Sequence, residues 1–292
     1  MSDLPSSDGS VVSRAYQFIR RWPIIPVGIV VLLILCAAFA GLLAPYDPER
    51  GNLRERNVPP IWSAEGSTSH VLGTDPQGRD ILSRIIFGAR ISLIIAAVVL
   101  CSGGIGGTIL GLIAGYAGGI VDELIMRFVD ITLAVPFILV AMVVVIVAGQ
   151  SLTIIIILLV AFSWNAFARQ VRAETLQLKT ADYVALATVA GASTWRIMYR
   201  HILPGVSSTL LVIATLRVGQ LILTESILSF LGVGIPPPTP AWGVMIADGR
   251  SYLATAWWVA FFPGMAIFLT VLAFNFLGDW LRDWFDPRLR QI

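Results

Sequence analysis

The sequence is poor in charged residues, which make up only 13% of its 292 positions. A soluble globular domain carries about twice that share. The net charge of +2 is too small to indicate a nucleic-acid partner. Both cysteines, Cys36 and Cys101, fall in hydrophobic runs, so no disulfide is expected. With 57% hydrophobic residues and a mean hydropathy of +0.82, the chain is predicted to be an all-α membrane protein.

Motifs of catalysis and nucleotide binding are also missing. The sequence contains two histidines, no H-E-x-x-H, no G-x-S-x-G and no cluster spaced like metal ligands. We interpret His70 and His201 as solvated surface residues. A glycine-rich stretch around residue 107 lacks the Gly-Lys-Ser/Thr ending of a phosphate-binding loop. No catalytic, cofactor-binding or metal site is therefore expected in this chain, and any ATP that drives it must be bound by another polypeptide.

Six hydrophobic runs are long enough to cross about 30 Å of hydrocarbon. The third and fourth are separated only by residues 149–151, where a tight reversal is expected because one uninterrupted helix would be far too long for a bilayer. The first run resembles a signal peptide, but its length of about twenty residues favours an uncleaved anchor. The predicted spans are 24–44, 91–116, 129–149, 152–168, 206–231 and 256–278.

Positive charges in short flanking segments predict the orientation. Three arginines precede the first span, four arginines and Lys179 lie between the fourth and fifth, and three arginines follow the sixth, so six spans place all three groups on one side. We assign that side, with both termini, to the cytoplasm of a prokaryotic cell. The predicted organisation is a cytoplasmic tail (1–21), an anchor helix (22–44), an external segment (45–90), a five-helix core (91–278) with a cytoplasmic loop (169–205), and a cytoplasmic tail (279–292).

Glycine recurs at every fourth residue of the second span. Such a stripe lets another helix approach closely, and close backbone contact is a main source of helix association in lipid. This helix is therefore expected to pack inside a bundle or at a subunit interface. The stripe consists of Gly103, Gly107, Gly111, Gly115 and Gly119.

The fifth span carries two charged residues, Arg217 and Glu225. Charges are costly in hydrocarbon and therefore suggest a function by default. At a spacing of eight residues they lie on roughly the same side of a helix, with Gln220 and Thr224. This polar side is predicted to line a translocation path or to pack against a partner subunit. The alternative is that both charges bond neighbouring helices or buried backbone for stability.

Residues 182–204 predict a short helix with a small apolar face, a glycine that ends it, and a second short helix. Asp182 and Ser193 are suited to cap the two helices, and Pro204 is predicted to stop the second. Such a bent pair suits docking of a partner better than catalysis, whereas an ordinary cytoplasmic loop is the alternative. The predicted docking residues are Tyr183, Leu186, Ala187, Ala190, Gly191, Ala192, Trp195, Ile202, Leu203 and Pro204.

A small-residue helix, then Gly191, then Ile-Leu-Pro at 202–204 resembles the coupling motif of ABC importer permeases. That motif usually begins Glu-Ala-Ala, whereas residues 185–187 of this chain are Ala-Leu-Ala. Three further stretches resemble the C-type permease subunit of dipeptide, oligopeptide and nickel importers. They are HVLGTDPQGRDILSRIIFGARISL (70–93), LSFLGVGIPPPTPAWGVMIADGR (228–250) and GDWLRDWFDPRLR from residue 278.

The resemblance implies a type I ABC importer permease fold with six transmembrane helices and a role as one half of a heterodimeric translocation path. It implies four kinds of partner: a second permease, one or two ABC ATPases that bind ATP and Mg²⁺, an external solute-binding protein, and membrane lipid. ATP binding would draw the 182–204 helices together and turn the permeases outward, and hydrolysis would reset them. Peptides are the first substrate expected, with nickel, glutathione and oligosaccharides as alternatives. An ATP-independent channel and a membrane-embedded enzyme subunit are the alternative functions.

Overall fold

The computed structural model describes residues 23–285, and within this range the chain is built from helices without a β-strand. The predicted tail 1–21 and the last seven residues of the predicted tail 279–292 lie outside the described residues. The α-helices are α1 (Ile24–Ala38), α2 (Ala40–Leu43), α3 (Ile81–Ala117), α4 (Gly119–Ala134), α5 (Phe137–Ala148), α6 (Leu152–Leu178), α7 (Asp182–Val189), α8 (Thr194–Ile197), α9 (Leu203–Phe230), α10 (Trp242–Gly249) and α11 (Trp258–Phe285).

Four helical segments of the described range are long and apolar enough to cross a membrane: α3, α6, residues 194–230 and α11. Helices α4 and α5 are apolar and long enough only as a pair bent by 77°, the geometry of a broken span or of a re-entrant loop. Helix α1 is apolar but has only 15 residues, and the one-turn helix α2 follows it after Phe39. The six predicted hydrophobic runs therefore correspond to these six segments, and the all-α class is confirmed.

Helix α3 begins ten residues before the predicted start of the second span. Asp80 caps it, because the carboxylate accepts a hydrogen bond from the Ser83 backbone N–H at 2.8 Å. The resulting 37-residue helix is about 56 Å long, so its first turns extend beyond a hydrocarbon layer of about 30 Å. The predicted external segment 45–90 thus includes the first turns of α3.

Proline breaks the predicted third span. Val135 and Pro136 have extended backbone angles, because proline has no N–H to donate and disfavours helical geometry in the residue before it. The predicted reversal at 149–151 is present. Gly149 has a φ of +85°, and the Ser151 side chain caps α6 by accepting from the Ile154 N–H at 3.1 Å.

The prediction that Pro204 ends a helix is wrong, because residues 194–230 form one long apolar segment. Residues 198–202 adopt a π-helical turn in which the Leu203 N–H donates to the Met198 carbonyl, five residues earlier. This turn joins α8 to α9 and leaves Pro204 in the first turn of α9. Proline is tolerated there because the first N–H groups of a helix have no partner within it.

The glycine stripe is where α3 packs against α6. A Cβ atom on Gly111 would lie 2.6 Å from the Ala168 carbonyl oxygen, and one on Gly115 would lie 2.6 Å from the Thr175 Cβ. Gly103 and Gly107 are in similarly close contact with α6, so the stripe serves packing within this chain. Gly119 does not belong to it. That residue is exposed at the start of α4, with a φ of +55°, because α3 has already ended at Ala117.

The helix ends at one side of the bundle share a core with the segment that precedes α3. Its centre is the indole of Trp242, which is buried against α3 and donates to the Ile85 carbonyl at 3.0 Å. Trp258 donates in the same way to the Thr74 carbonyl at 3.2 Å. These two indoles attach the external segment to α10 and α11.

Candidate functional site

Helix α7 ends in a Schellman motif centred on Gly191. The Ala192 N–H donates to the Ala187 carbonyl and the Gly191 N–H to the Thr188 carbonyl, both at 3.0 Å. Gly191 has a φ of +76°, which confirms the prediction that it ends the helix in a left-handed conformation. Neither predicted cap forms a side-chain bond, and the N-cap residue of α7 is Ala181. Asp182 lies in the first turn of α7, and Ser193 occupies the N-cap position of α8 without a side-chain cap bond.

The inner face of α7 and α8 is anchored to the rest of the chain. Val184 and Ile197 are buried in a cluster with Leu112 of α3 and Val171 of α6. Ile202 belongs to the same cluster and is fully buried. We predicted Ile202 as a docking residue, but within this chain its side chain packs in the cluster that holds the two short helices and has no exposed surface for a partner. The two short helices are therefore held against the long helices α3 and α6.

The outer face is apolar and exposed. Most of the predicted docking residues lie on it, while Ala187, Ala192 and Leu203 are half-buried at its base. Trp195 and Tyr199 also line an apolar cavity with α3 and α9. Val189, with 88% of its surface exposed, and Tyr199 are exposed in the same region, although the sequence analysis did not select them. Their spacing gave the signal, since Val189 follows Leu186 by three residues and Tyr199 follows Trp195 by four. We call this the α7–α8 surface: Tyr183, Leu186, Val189, Ala190, Trp195 and Tyr199.

A second feature is a cavity of about 280 Å³ between α4, α5, α6 and α9. Arg217, Gln220 and Thr224 of α9 line it, as predicted for residues on one side of that helix. Val135 and Pro136 line it as well, so the cavity lies at the break between α4 and α5. The polar side of α9 thus faces a space that the broken span opens.

Glu225 does not line this cavity, contrary to its predicted grouping with Arg217. Only 1% of its surface is exposed, and its Oε1 accepts from the Ser229 hydroxyl at 2.7 Å. Ser229 Oγ in turn accepts from the Ile235 N–H at 3.2 Å. Eight residues of an α-helix rotate by about 80° beyond two full turns, which is enough to direct the two side chains into different surroundings. For Glu225 the alternative interpretation, bonding that holds neighbouring structure, agrees with these contacts.

The histidine interpretation is wrong for His70. Its ring is only 5% exposed and lies 2.9 Å from the Asp80 carboxylate, with Glu55 at 3.8 Å on its other nitrogen. The neighbouring Arg79 bonds Asp75 at 2.6 Å and Asp248 of α10 at 3.0 Å. These polar contacts hold the external segment onto the helix ends, and His70 is part of that support.

No metal centre is evident in residues 23–285, since no three His, Cys, Asp or Glu side chains converge there. Cys36 and Cys101 are both free thiols. The features described so far in residues 23–285 are an apolar exposed surface, a cavity lined by one cation, and buried polar contacts.

Comparison with known families decides among the classes of membrane protein. The family model described as the binding-protein-dependent transport system inner membrane component matches residues 107–291. The chain belongs to this family. A second model, the N-terminal transmembrane domain of oligopeptide transport permease C, matches residues 24–60. The type I importer permease fold is thereby confirmed, and the permease is a multi-pass inner-membrane protein.

Curated relatives resemble this permease over nearly its whole length. It is 45% identical over 277 residues to the glutathione transport system permease protein GsiD of Pectobacterium atrosepticum, covering 94% of this chain and 90% of the relative. The di/tripeptide transport system permease protein DppC of Pseudomonas aeruginosa is 43% identical, covering 89% and 86%. The dipeptide transport system permease protein DppC of Escherichia coli K12 is 45% identical, covering 90% and 87%. All three relatives are permease subunits of transport systems.

Proposed function

We propose that this permease forms half of the inward path for small peptides in an ATP-driven importer and that the α7–α8 surface receives the driving motion. A second, related permease completes the path. The single observation that carries the proposal is an apolar surface that is exposed on one side and anchored to α3 and α6 on the other. Such a surface transmits a rigid-body motion without any chemistry at the joint.

ABC ATPase subunits are the proposed occupants of the α7–α8 surface. They bind ATP and Mg²⁺, since the sequence has no phosphate-binding loop of its own. The permease is a transport subunit without its own ATPase site, and a solute-binding protein delivers substrate from outside. The proposed organisation places both termini and the 169–205 loop in the cytoplasm, with the 45–90 segment outside, because the clustered positive charges lie on one side.

Small peptides are the proposed substrates because the relatives are named for dipeptides, di/tripeptides and glutathione, itself a small peptide. The conclusion is drawn from the relatives and from the size of the cavity, which suits one end of a small ligand. Nickel and oligosaccharides are outcomes that a substrate screen would reveal. The external binding protein selects among these candidates before the permease is reached.

The first test is purification of the tagged permease from its native host in mild detergent, followed by mass spectrometry. We expect an ABC ATPase and a second permease to be recovered with it. Reproducible recovery of the chain alone would contradict the proposal, and conductance of that chain in a bilayer would then establish a channel. Turnover of a substrate by the isolated chain would instead establish an enzyme.

The role of the α7–α8 surface is tested with Gly191→Asp and its neutral control Gly191→Asn. Both side chains tolerate the positive φ of this position, so the pair separates charge from backbone strain. Asp is expected to uncouple ATP hydrolysis from uptake, and Asn to leave most of the coupling intact. Normal uptake by the Asp variant in the intact complex would show that the surface has no docking role.

A further inference from the structure

Arg217 lies at the middle of a membrane-spanning helix. Helix α9 runs for 28 residues from Leu203 to Phe230, so Arg217 is about 20 Å from either end at 1.5 Å per residue. A guanidinium at this depth is expensive unless it faces water, a protein cavity or an opposite charge. The groups that surround the guanidinium of Arg217 therefore indicate its role.

Residues 23–285 provide Arg217 with no counter-charge. Its side chain forms neither a salt bridge nor a hydrogen bond with any of them. Glu225, the other charged group of α9, is buried elsewhere and bonded to Ser229. Arg172, by contrast, is paired with Asp122 through two contacts of 2.5 and 2.6 Å. The positive charge of Arg217 is thus unpaired among the described residues and lies at the cavity.

The cavity around Arg217 favours an anion. The N-terminus of α5, at Pro136 and Phe137, lines it, and a helix N-terminus carries a partial positive charge. The side-chain amides of Gln220 and Asn165 also line it, and neither has a hydrogen-bond partner among the described residues. Two sources of positive potential and two free amide groups therefore surround a space without a single acidic residue.

The break between α4 and α5 is compatible with a space that holds water. Irregular backbone within a membrane is tolerated only where it is buried in protein or lines a water-filled cavity. Val135 and Pro136, the residues of the break, face the same cavity as Arg217. Broken helices whose N-termini point at anionic substrate groups are a general device for sites at mid-membrane depth.

We propose that Arg217 is a transient binding site for a substrate carboxylate on the way through the permease, positioned with the N-terminus of α5 and the amides of Gln220 and Asn165. For a peptide substrate the group is the C-terminal carboxylate. The cavity of about 280 Å³ holds this end of the peptide, while the remainder extends toward the partner permease. This inference rests on the proposed import function, and it adds the chemical group of the substrate that the translocation path recognises.

The test compares Arg217→Gln with Arg217→Lys in the complete importer reconstituted in proteoliposomes. The probes are Ala-Ala and Ala-Ala amide, which differ only in the C-terminal carboxylate. Arg217→Gln is expected to lower ATP-driven uptake of Ala-Ala at least tenfold, and Lys to keep it within threefold. Uptake of the amide should be the same in wild type and Arg217→Gln. ATPase stimulation by the binding protein should change little in either variant.

Two results would overturn the proposal. Equal uptake of Ala-Ala by wild type and Arg217→Gln would remove the carboxylate role. Loss of the partner permease from the purified Arg217→Gln complex, restored by Lys, would assign Arg217 to an ion pair between subunits. If wild type itself takes up neither peptide, it is the proposed peptide import that fails, and a second measurement then decides the role of Arg217.

That second measurement is chemical labelling of Arg217→Cys, with Cys36 and Cys101 first replaced by serine. A small anionic, membrane-impermeant methanethiosulfonate reagent should modify the new thiol in at least one nucleotide state. Absence of labelling in every nucleotide state would show that position 217 faces lipid or protein, and the carboxylate site would be refuted.

Discussion

Val189 offers the sharpest test of the α7–α8 surface. Its side chain is 88% exposed, so Val189→Ala removes two methyl groups at little cost to folding. At about 0.8 kcal/mol per buried carbon, loss of these two carbons from a docked interface costs about 1.6 kcal/mol. This corresponds to a rise of about fifteenfold in the dissociation constant for the ATPase. Val189→Asp should weaken binding further, because it buries a charge without a partner.

Val184 supplies the matched control. It belongs to the same helix but is only 2% exposed, packed on the opposite face against the chain's own core. Val184→Ala should therefore lower the thermal stability of the permease by about 2 kcal/mol and change ATPase affinity only through folding. The assay is titration of purified ATPase onto the permease pair in nanodiscs, alongside thermal unfolding of each variant. Unchanged affinity in both Val189 variants would refute docking at this surface.

Three further predictions concern the supports of the fold. Gly111→Leu should abolish recovery of folded permease because the side chain would collide with α6. Gly106→Leu should be tolerated, since a Cβ at that position has no neighbouring atom within 4 Å. The yield of detergent-stable protein compares the two variants. Asp122→Asn should weaken the bidentate pair with Arg172 and cost about 2 kcal/mol in thermal unfolding, and an unchanged midpoint would contradict this. Trp242→Phe should cost about 1 kcal/mol by removing the indole bond to α3, which proteolysis of the external segment would detect.

Some elements depend mainly on residues close together in the sequence, and local patterns were sufficient to predict them. The four-residue recurrence of glycine in α3 predicted a close helix contact, and four of the five positions lie against α6. Gly191 predicted a left-handed helix end because few other residues adopt that conformation at low cost. Hydrophobic length alone predicted the membrane segments.

Features that depend on packing could not be predicted in this way. The sequence placed Arg217 and Glu225 together, but a rotation of about 80° and the loop packed over α9 separate them. His70 looked solvated because its partner, Asp80, is ten residues away and meets it only when the external segment folds back. Pro204 looked like a helix end because the π-helical turn before it has no clear sequence signal.

The length of α3 has a mechanical consequence. One unbroken helix of 37 residues bonds the external segment at Asp80 and packs beneath α7 at Leu112. If such a helix tilts as a rigid body about its middle, a tilt of a few degrees displaces its two ends by about 2 Å in opposite directions. In the proposed importer, solute delivery at one end and nucleotide binding at the other would then act on the same helix, without a chain of side-chain rearrangements between them.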